Sequence, residues 1–201
     1  RNVGLIFRNE PAAGRREMLL TYGKLQLKLK ILVGLFKRRP TTETLLGMTV
    51  RFFDYRTFVF LFEELFIWRS YEFTAQTERP FILDCGSNIG ISILFFKRRY
   101  PNAVILGFEP DPATFALLKE NVAQNRLRNV TVINRAVSDT HGTIDFYSDP
   151  DLPGSLAMTV RPERGLEAMA QVETTPLSDH LGDEIDFLKM DIEGSEECVL
   201  E

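Results

Sequence analysis

One short stretch, Phe81–Gly90 (FILDCGSNIG), constrains the fold of this chain more than any other. Its apolar first residues predict a buried strand, and Gly86 and Gly90 predict a tight turn that leads into a helix. Asp84 lies where the predicted strand ends. A strand, a glycine turn and a helix in this order are typical of α/β folds that bind a ligand at the turn.

The spacing of this turn, Asp-x-Gly-x-x-x-Gly, differs from the Gly-x-Gly-x-x-Gly of dinucleotide sites. A pyrophosphate at this position would be repelled by the Asp84 carboxylate, whereas a ligand with an ammonium and a sulfonium would be attracted. S-adenosylmethionine carries both groups. The turn therefore favours S-adenosylmethionine over NAD as the cofactor, although glycine turns of this kind also serve packing alone.

The residues after Gly90 alternate between helix and strand patterns, which implies a doubly wound, mostly parallel α/β sheet. A helix is predicted at 91–100, and Asp111 and Pro112 suit the N-cap and the first position of a second helix. The main strands are predicted at Phe81–Leu83, Ala103–Phe108, Val130–Ile133 and Ile185–Met190. The smaller elements are predicted as strands at Thr143–Tyr147 and Val172–Thr175, a helix at Leu177–Leu181 and a covering loop at 148–170.

Acidic residues follow the predicted strand ends, where ligands of such sheets bind. Glu109 comes 19 residues after Gly90, and a carboxylate at this spacing can accept both ribose hydroxyls of an adenosine. The spacing fits NAD as well as S-adenosylmethionine. Asp191 follows the fourth main strand, so we expect it to lie near Asp84 and Glu109.

Apolar residues at the same edge can hold the adenine. Ala136 and Val137 follow the third main strand, and their backbone groups can hydrogen-bond the adenine edge. Pro110 and Val137 can cover its faces.

Charge is distributed unevenly along the 201 residues, whose formal net charge is −4. Residues 15–39 hold eight Lys or Arg and one Glu, residues 1–14 hold two Arg and one Glu, and residues 40–201 therefore carry −12. An acidic body argues against a nucleic-acid partner, which needs a basic face. The two cysteines form no disulfide framework or metal cluster, which favours a cytoplasmic protein with reduced thiols.

The N-terminal part, residues 1–76, is predicted as a helical and extended segment that precedes a second domain at 77–201. Its basic stretch 15–39 suits an amphipathic helix, with Leu25, Leu29, Leu32 and Phe36 on one stripe, or an alternating strand. Such a helix can bind an anionic membrane, but we favour packing on the acidic body. A strand is expected at 45–53. Asp54 is expected to cap a helix whose apolar face contains Phe58, Leu61, Phe62 and Leu65.

Four motifs in order, ILDCGSNIG, GFEPDP, NRAVSD and LKMDIEGSE, resemble the FkbM-type methyltransferases. The resemblance covers about Phe58 to Glu201 and leaves 15–39 without a counterpart. It implies a class I, Rossmann-like methyltransferase fold. It also implies S-adenosylmethionine as methyl donor and transfer to a hydroxyl oxygen of a small molecule or sugar. The last strands of that fold, which help to form the acceptor pocket, are expected beyond Glu201, so the chain is expected to be part of a longer protein.

The resemblance also assigns site residues. It places the methionine part of the cofactor against Asp84, Gly86, Ser87, Asn88 and Gly90. It gives the ribose to Glu109 and the adenine to Ser138 and its neighbours. Tyr71, just before the glycine turn, is a further candidate contact.

Asp191 and Glu193 lie where the transferred methyl group is expected, so they are the candidate catalytic residues. Either can orient or deprotonate an acceptor hydroxyl, as can Glu196. One Asp-x-Glu without a second cluster predicts no metal site. Lys189 is expected to form a salt bridge. The two histidines, His141 and His180, lie away from the motifs and are not expected to act as bases.

Two alternatives remain beside the methyltransferase. The first is an NAD-dependent oxidoreductase, which the absent Gly-x-Gly disfavours. The second is a catalytically idle domain that uses this fold for binding. Nothing in the sequence indicates the acceptor or the oligomeric state.

Overall fold

The structure is a computed structural model that describes residues 1–147, 168–182, 184–192 and 196–200. The chain divides into two compact units, Arg1–Glu72 and Phe73–Glu201. Each unit has its own secondary structure and its own buried side chains. Among the helices in the described ranges, none combines the length and the apolar character needed to cross a bilayer.

The N-terminal unit contains three helices and one hairpin. The helices are α1 (Asn2–Asn9), α2 (Ala12–Lys28) and α3 (Tyr55–Phe62), and the strands are β1 (Thr42–Leu45) and β2 (Met48–Arg51). Helix α2 continues as π-helical turns at Leu29–Leu35, and α3 continues in the same way at Glu63–Ile67. The predicted helical and extended lead-in is confirmed.

Helix α2 forms because it buries Met18, Thr21 and Leu25 at helical spacing. The helical prediction for 15–39 is therefore confirmed over the strand alternative. The predicted apolar stripe is only partly right: Leu25 is fully buried, but Phe36 is 61% exposed. The predicted packing of 15–39 on the acidic body, like its possible membrane contact, stays a prediction.

Two lysines of α2 surround one buried carboxylate. Lys24 and Lys28 lie 2.7 and 2.9 Å from the carboxylate oxygens of Glu43 on β1. Burial acts to raise the pKa of Glu43, but the hydrogen bonds and charges of the two lysines hold it below its ordinary value. The buried carboxylate thus has the partners that its desolvation requires.

The strand expected at 45–53 is confirmed only over Met48–Arg51, because the chain turns back at its start. Leu46 and Gly47 have φ angles of 51° and 77°. Two positive φ values in a two-residue loop are the pattern of a type I′ hairpin. Leu46 is an unusual residue for this position, so the turn gives only a weak sequence signal.

Helix α3 begins as predicted at the Asp54 cap, whose Oδ2 accepts a hydrogen bond of 2.8 Å from the backbone N–H of Thr57. Its predicted apolar face is also observed. Phe58, Phe62 and Leu65 are buried, and Leu61 is half-buried.

The described part of the C-terminal unit contains two sheets and three helices. The strands are β3 (Phe81–Cys85), β4 (Val104–Phe108), β5 (Val130–Ile133), β6 (Ala136–Ser138), β7 (Gly142–Tyr147), β8 (Ala168–Pro176) and β9 (Phe187–Met190). The helices are α4 (Ile91–Arg99), α5 (Pro112–Gln124) and α6 (Glu196–Leu200), with a 3₁₀ helix at Leu177–His180. The predicted loop at 148–170 lies outside the described residues up to 167, and 168–170 belong to β8.

The main sheet is parallel and has the order β5-β4-β3-β9. Its first strand in the chain, β3, lies at the centre, and Asp84 pairs in register with Gly107 of β4 and Lys189 of β9. On one side of β3, the strands run outward through β4 to β5. On the other side, β3 pairs with β9. The predicted doubly wound, Rossmann-like fold is confirmed, and the order reverses between β3 and β9, where such sheets bind ligands.

The second sheet places β8 between β6 and β7, with β6 parallel and β7 antiparallel to it. Val137 of β6 and Leu177 of the 3₁₀ helix pack with Leu83, Cys85 and Phe108 of the main sheet. This hydrophobic cluster fixes the ends of β3 and β4, which carry the candidate site.

We expect Asp54→Ala to destabilise the N-terminal unit by about 0.5–2 kcal/mol, because it leaves an N–H group at the start of α3 without its acceptor. Asp54→Asn keeps an acceptor oxygen and should cost less. Urea unfolding, followed by circular dichroism, measures both changes. Equal midpoints for Asp54→Ala and the parent would contradict this role of the cap.

Candidate functional site

The turn between β3 and α4 depends on two glycines in the left-handed backbone region. Gly86 and Gly90 have φ angles of 82° and 88°. A Cβ on Gly86 would lie 2.1 Å from the carbonyl oxygen of Asp191, and one on Gly90 would lie 2.7 Å from Leu118 of α5. Both glycines are therefore required by neighbouring protein atoms as well as by the turn.

Backbone hydrogen bonds hold the turn against the end of β4. The N–H groups of Gly86 and Ser87 donate to the carbonyl of Phe108 at 3.0 and 2.7 Å. The Ser87 hydroxyl is buried and donates to the carbonyl of Asp84 at 2.9 Å. Ser87 thus stabilises the turn from inside, while Asn88, half-buried with a φ of 49°, lies at its outer bend.

Asp84 is fully buried and has two partners. Its Oδ2 accepts a hydrogen bond of 2.6 Å from the Ser92 hydroxyl of α4. Its Oδ1 accepts no hydrogen bond but lies 3.4 Å from the ammonium nitrogen of Lys189. The predicted salt bridge of Lys189 is observed. The ammonium of Lys189 therefore compensates the negative charge of Asp84, which the sequence analysis expects to attract a cationic ligand.

Glu109 joins the two loops that follow β3 and β4. Glu109 is 3% exposed, and its carboxylate accepts hydrogen bonds of 2.9 Å from the N–H groups of Asn88 and Asp111. Burial raises the pKa of Glu109 to about 7, with a smaller contribution from the charge of Asp111, although the two backbone hydrogen bonds and the charge of Lys189 act to lower it. A carboxyl group with this pKa exchanges its proton near neutral pH.

Asp191 follows β9 and lies beside the glycine turn, as predicted. Its N–H donates to the Cys85 carbonyl at 3.1 Å, and its side chain is 55% exposed, with Oδ2 3.7 Å from the Lys189 nitrogen. Glu193, the other candidate catalytic residue, lies outside the described residues. Glu196 accepts a hydrogen bond from the N–H of Ile192 at 3.1 Å, which is a structural role at the start of α6.

The candidate adenine residues lie on β6 and at the end of β4. Ala136 and Val137 are buried, Ser138 is half-buried, and all three form β6. Pro110 is half-buried, and its carbonyl accepts a hydrogen bond from the Asn134 amide at 2.8 Å. The adenine role of these residues stays a prediction.

One further candidate, Tyr71, and the two histidines are placed as follows. Tyr71 belongs to the N-terminal unit and is half-buried, and its cofactor contact stays a prediction. His141 is exposed and lies 2.9 Å from Asp179. His180 packs its ring against Phe108 with centroids 4.9 Å apart, so it lies closer to the end of β4 than its place in the sequence suggests.

Two residues of this edge are missing from the sequence-based site. Asn134 donates from its amide to the carbonyls of Glu109 and Pro110, both at 2.8 Å, and so shapes the loop after β4. Lys189 donates to the carbonyls of Cys85 and Gly86. A lysine within a strand predicted to be buried was the available signal for Lys189, and the first position of the NRAVSD motif was the signal for Asn134.

A parallel sheet that carries a glycine turn and strand-end carboxylates at its switch point is an arrangement at which α/β folds bind ligands. The family model described as the methyltransferase FkbM domain matches residues 84–201, which is more than half of the chain. The chain belongs to the FkbM family of methyltransferases, and the predicted resemblance is confirmed.

Three curated relatives also match, and each match covers a smaller share of the relative than of this chain. Methyltransferase sdnD of Sordaria araneosa is 34% identical over 70% of this chain and 67% of its own length. The 31-O-demethyl-FK506 methyltransferase FkbM of Streptomyces tacrolimicus is 34% identical over 53% of this chain and 42% of its own. The 2-O-methyltransferase NoeI of Sinorhizobium fredii (strain NBRC 101917 / NGR234) is 31% identical over 60% and 56%, respectively. The chain thus spans between about two fifths and two thirds of these proteins.

The raised pKa of Glu109 predicts a pH-dependent stability. Since the folded-state value of about 7 exceeds the ordinary value of 4.5, the contribution of this group is fully present below pH 4.5 and is lost as the pH rises through 7. Glu109→Gln removes the titration. Between acidic and mildly alkaline pH, the unfolding free energy of the parent should fall by about 3 kcal/mol relative to this variant.

Chemical unfolding of both proteins across this pH range measures the difference. Gln offers only one acceptor oxygen to two N–H donors, so the variant carries a constant cost that does not change with pH. Two parallel stability profiles would contradict the raised pKa.

Proposed function

We propose that this chain binds S-adenosylmethionine at the turn between β3 and α4 and transfers its methyl group to an oxygen of a small molecule or sugar. The observation that carries the proposal is the junction of the glycine turn with Glu109 at the switch point of the sheet. There the carboxylate accepts a hydrogen bond from Asn88 of the turn, at 2.9 Å. This arrangement places the turn and a strand-end carboxylate side by side at the edge where such sheets bind ligands.

The start of α4 suits the carboxylate of the cofactor. This helix has nine residues, and no side chain caps its N-terminus at Gly90. The first N–H groups of a helix lack acceptors within the helix, and together with the helix dipole they favour an anion. The methionine part of the cofactor would therefore lie over the turn, as the family resemblance implies for Gly86 and Asn88.

Glu109 suits the ribose, although backbone groups already occupy part of its carboxylate. Each carboxylate oxygen has two lone pairs, and each accepts one hydrogen bond from Asn88 or Asp111. Two acceptor positions are left for the two ribose hydroxyls. Ionisation of Glu109 would strengthen these hydrogen bonds, so the cofactor would favour the charged form.

The names of two relatives support oxygen as the atom that is methylated. One is named a 31-O-demethyl-FK506 methyltransferase and the other a 2-O-methyltransferase. These names describe those proteins, and they favour a hydroxyl acceptor for this one. A small-molecule or sugar acceptor, and no nucleic acid, also fits the −12 charge of residues 40–201.

The sulfonium of the cofactor supplies an activated methyl group and a good leaving group. The chain then needs chiefly to align an acceptor oxygen with that methyl, and such positioning is worth up to about 7–11 kcal/mol of barrier. Asp191 is exposed beside the turn, so its carboxylate can orient the acceptor hydroxyl and take its proton as the bond forms. Glu193 is the second candidate for this role.

The binding step is tested by calorimetry with S-adenosylhomocysteine and with NAD. We expect the protein to bind S-adenosylhomocysteine and not NAD, because the turn lacks the Gly-x-Gly-x-x-Gly spacing that lets the backbone approach a pyrophosphate. Binding of NAD without S-adenosylhomocysteine would replace the proposal with the oxidoreductase. Binding of S-adenosylhomocysteine without any transfer by the full-length protein would favour the idle binding domain.

The catalytic step is tested by turnover with an identified acceptor. Asp191→Asn and Glu193→Gln should each lower the rate by at least about tenfold, the low side of general-base catalysis, with cofactor affinity largely kept. The double variant His141→Ala, His180→Ala is the matched control and should keep its activity. Turnover should also survive EDTA. Loss of activity in EDTA that Mg²⁺ restores would indicate a metal-assisted mechanism, and full activity in both carboxylate variants would leave positioning alone.

A further inference from the structure

Lys189 is a buried cation at the centre of the candidate cofactor turn. Lys189 is 6% exposed. Its ammonium donates hydrogen bonds to the carbonyls of Cys85, at 3.2 Å, and of Gly86. The same nitrogen lies 3.4 Å from Asp84 and 3.7 Å from Asp191. One group therefore contacts the end of β3, the glycine turn and the loop after β9.

The unit contains a second buried lysine that lacks this surrounding. Lys97 of α4 is 7% exposed, and its ammonium donates to the carbonyls of Pro101 and Ala103. These carbonyls precede β4, at the end of the sheet opposite the glycine turn. Burial lowers the pKa of Lys97. Lys97 shows that this fold can bury a lysine whose ammonium binds carbonyls. The two carboxylates beside Lys189 are therefore not needed for its burial, and they point to a further role.

That role follows from the charges along the turn. Asp84 is fully buried directly beneath the turn, and its Ser92 partner belongs to the first turn of α4. An uncompensated carboxylate here would repel a ligand carboxylate that approaches the N-terminus of α4. The ammonium of Lys189 cancels this charge and holds the carbonyls of Cys85 and Gly86 turned towards itself.

We propose that Lys189 is a positioning residue for the amino-acid part of the cofactor. Its ammonium fixes the glycine turn and cancels the charge of Asp84, so that the cofactor's carboxylate can bind at the start of α4. This inference rests on the proposed function. It assigns Lys189 to one end of the ligand only, because the ribose end is held by Glu109.

Two ligands separate the two ends of the cofactor. S-adenosylhomocysteine carries the amino-acid part, whereas 5′-methylthioadenosine has the same adenosine and lacks the amino and carboxyl groups. Calorimetry with both ligands should show that Lys189→Met weakens S-adenosylhomocysteine by at least about tenfold, the scale of a lost charged interaction, and 5′-methylthioadenosine by less than about threefold. Lys97→Met is the matched control and should change neither affinity. Glu109→Ala should weaken both.

Removing Lys189 alone leaves a buried charge without its partner, which can prevent folding. The double variant Asp84→Asn, Lys189→Met removes both charges. Its preference for S-adenosylhomocysteine over 5′-methylthioadenosine should fall below that of Asp84→Asn, which keeps the cation without its counter-charge. Thermal unfolding of every variant establishes that the comparison is made on folded protein.

Unchanged preference in folded Lys189→Met, or in the double variant relative to Asp84→Asn, overturns this inference and leaves the proposed function intact. An equal loss for both ligands also overturns it, because that result indicates a general structural role. Failure of the unchanged protein to bind either ligand overturns the proposed function itself, and this inference with it.

Discussion

The structure at the carboxyl ends of the main-sheet strands depends on the contacts of the Lys189 ammonium group. This ammonium lies between the carbonyls of Cys85 and Gly86 and the carboxylate of Asp84, whose Oδ1 accepts no hydrogen bond. An unpaired carboxylate is costly inside a protein. Because β9 pairs with β3 and places this lysine beside Asp84, the shape of the glycine turn depends on the pairing of these two strands.

Steric contact reinforces the same constraint. The backbone of Asp191 approaches Gly86 so closely that no Cβ fits between them, and the N–H of Asp191 donates to Cys85. The loop after β9 is therefore packed directly against the turn after β3. The backbone of a candidate catalytic residue is thus held beside the candidate cofactor turn, which is an arrangement that transfer by positioning requires.

Glu109 combines a structural role with the ribose-binding role that we propose for it. Its carboxylate is buried and joins two loops, and the resulting desolvation raises its pKa towards neutrality. A ribose that donates two hydrogen bonds would compensate a cost that the protein alone compensates only in part. Perturbed carboxyl groups of this kind are typical of functional sites, although structural networks also produce them.

The sequence by itself determined the features that depend on neighbouring residues. The strand, glycine turn and helix from Phe81 onward, and the caps at Asp54 and Asp111, are readable because apolar periodicity, backbone freedom and capping are local properties. The family was also readable, since its motifs are contiguous. The hairpin at Leu46 was not, because an atypical residue occupies its turn. Only the tertiary structure decided what surrounds Asp84, since Lys189 lies about a hundred residues away and reaches it through the parallel pairing of β3 with β9.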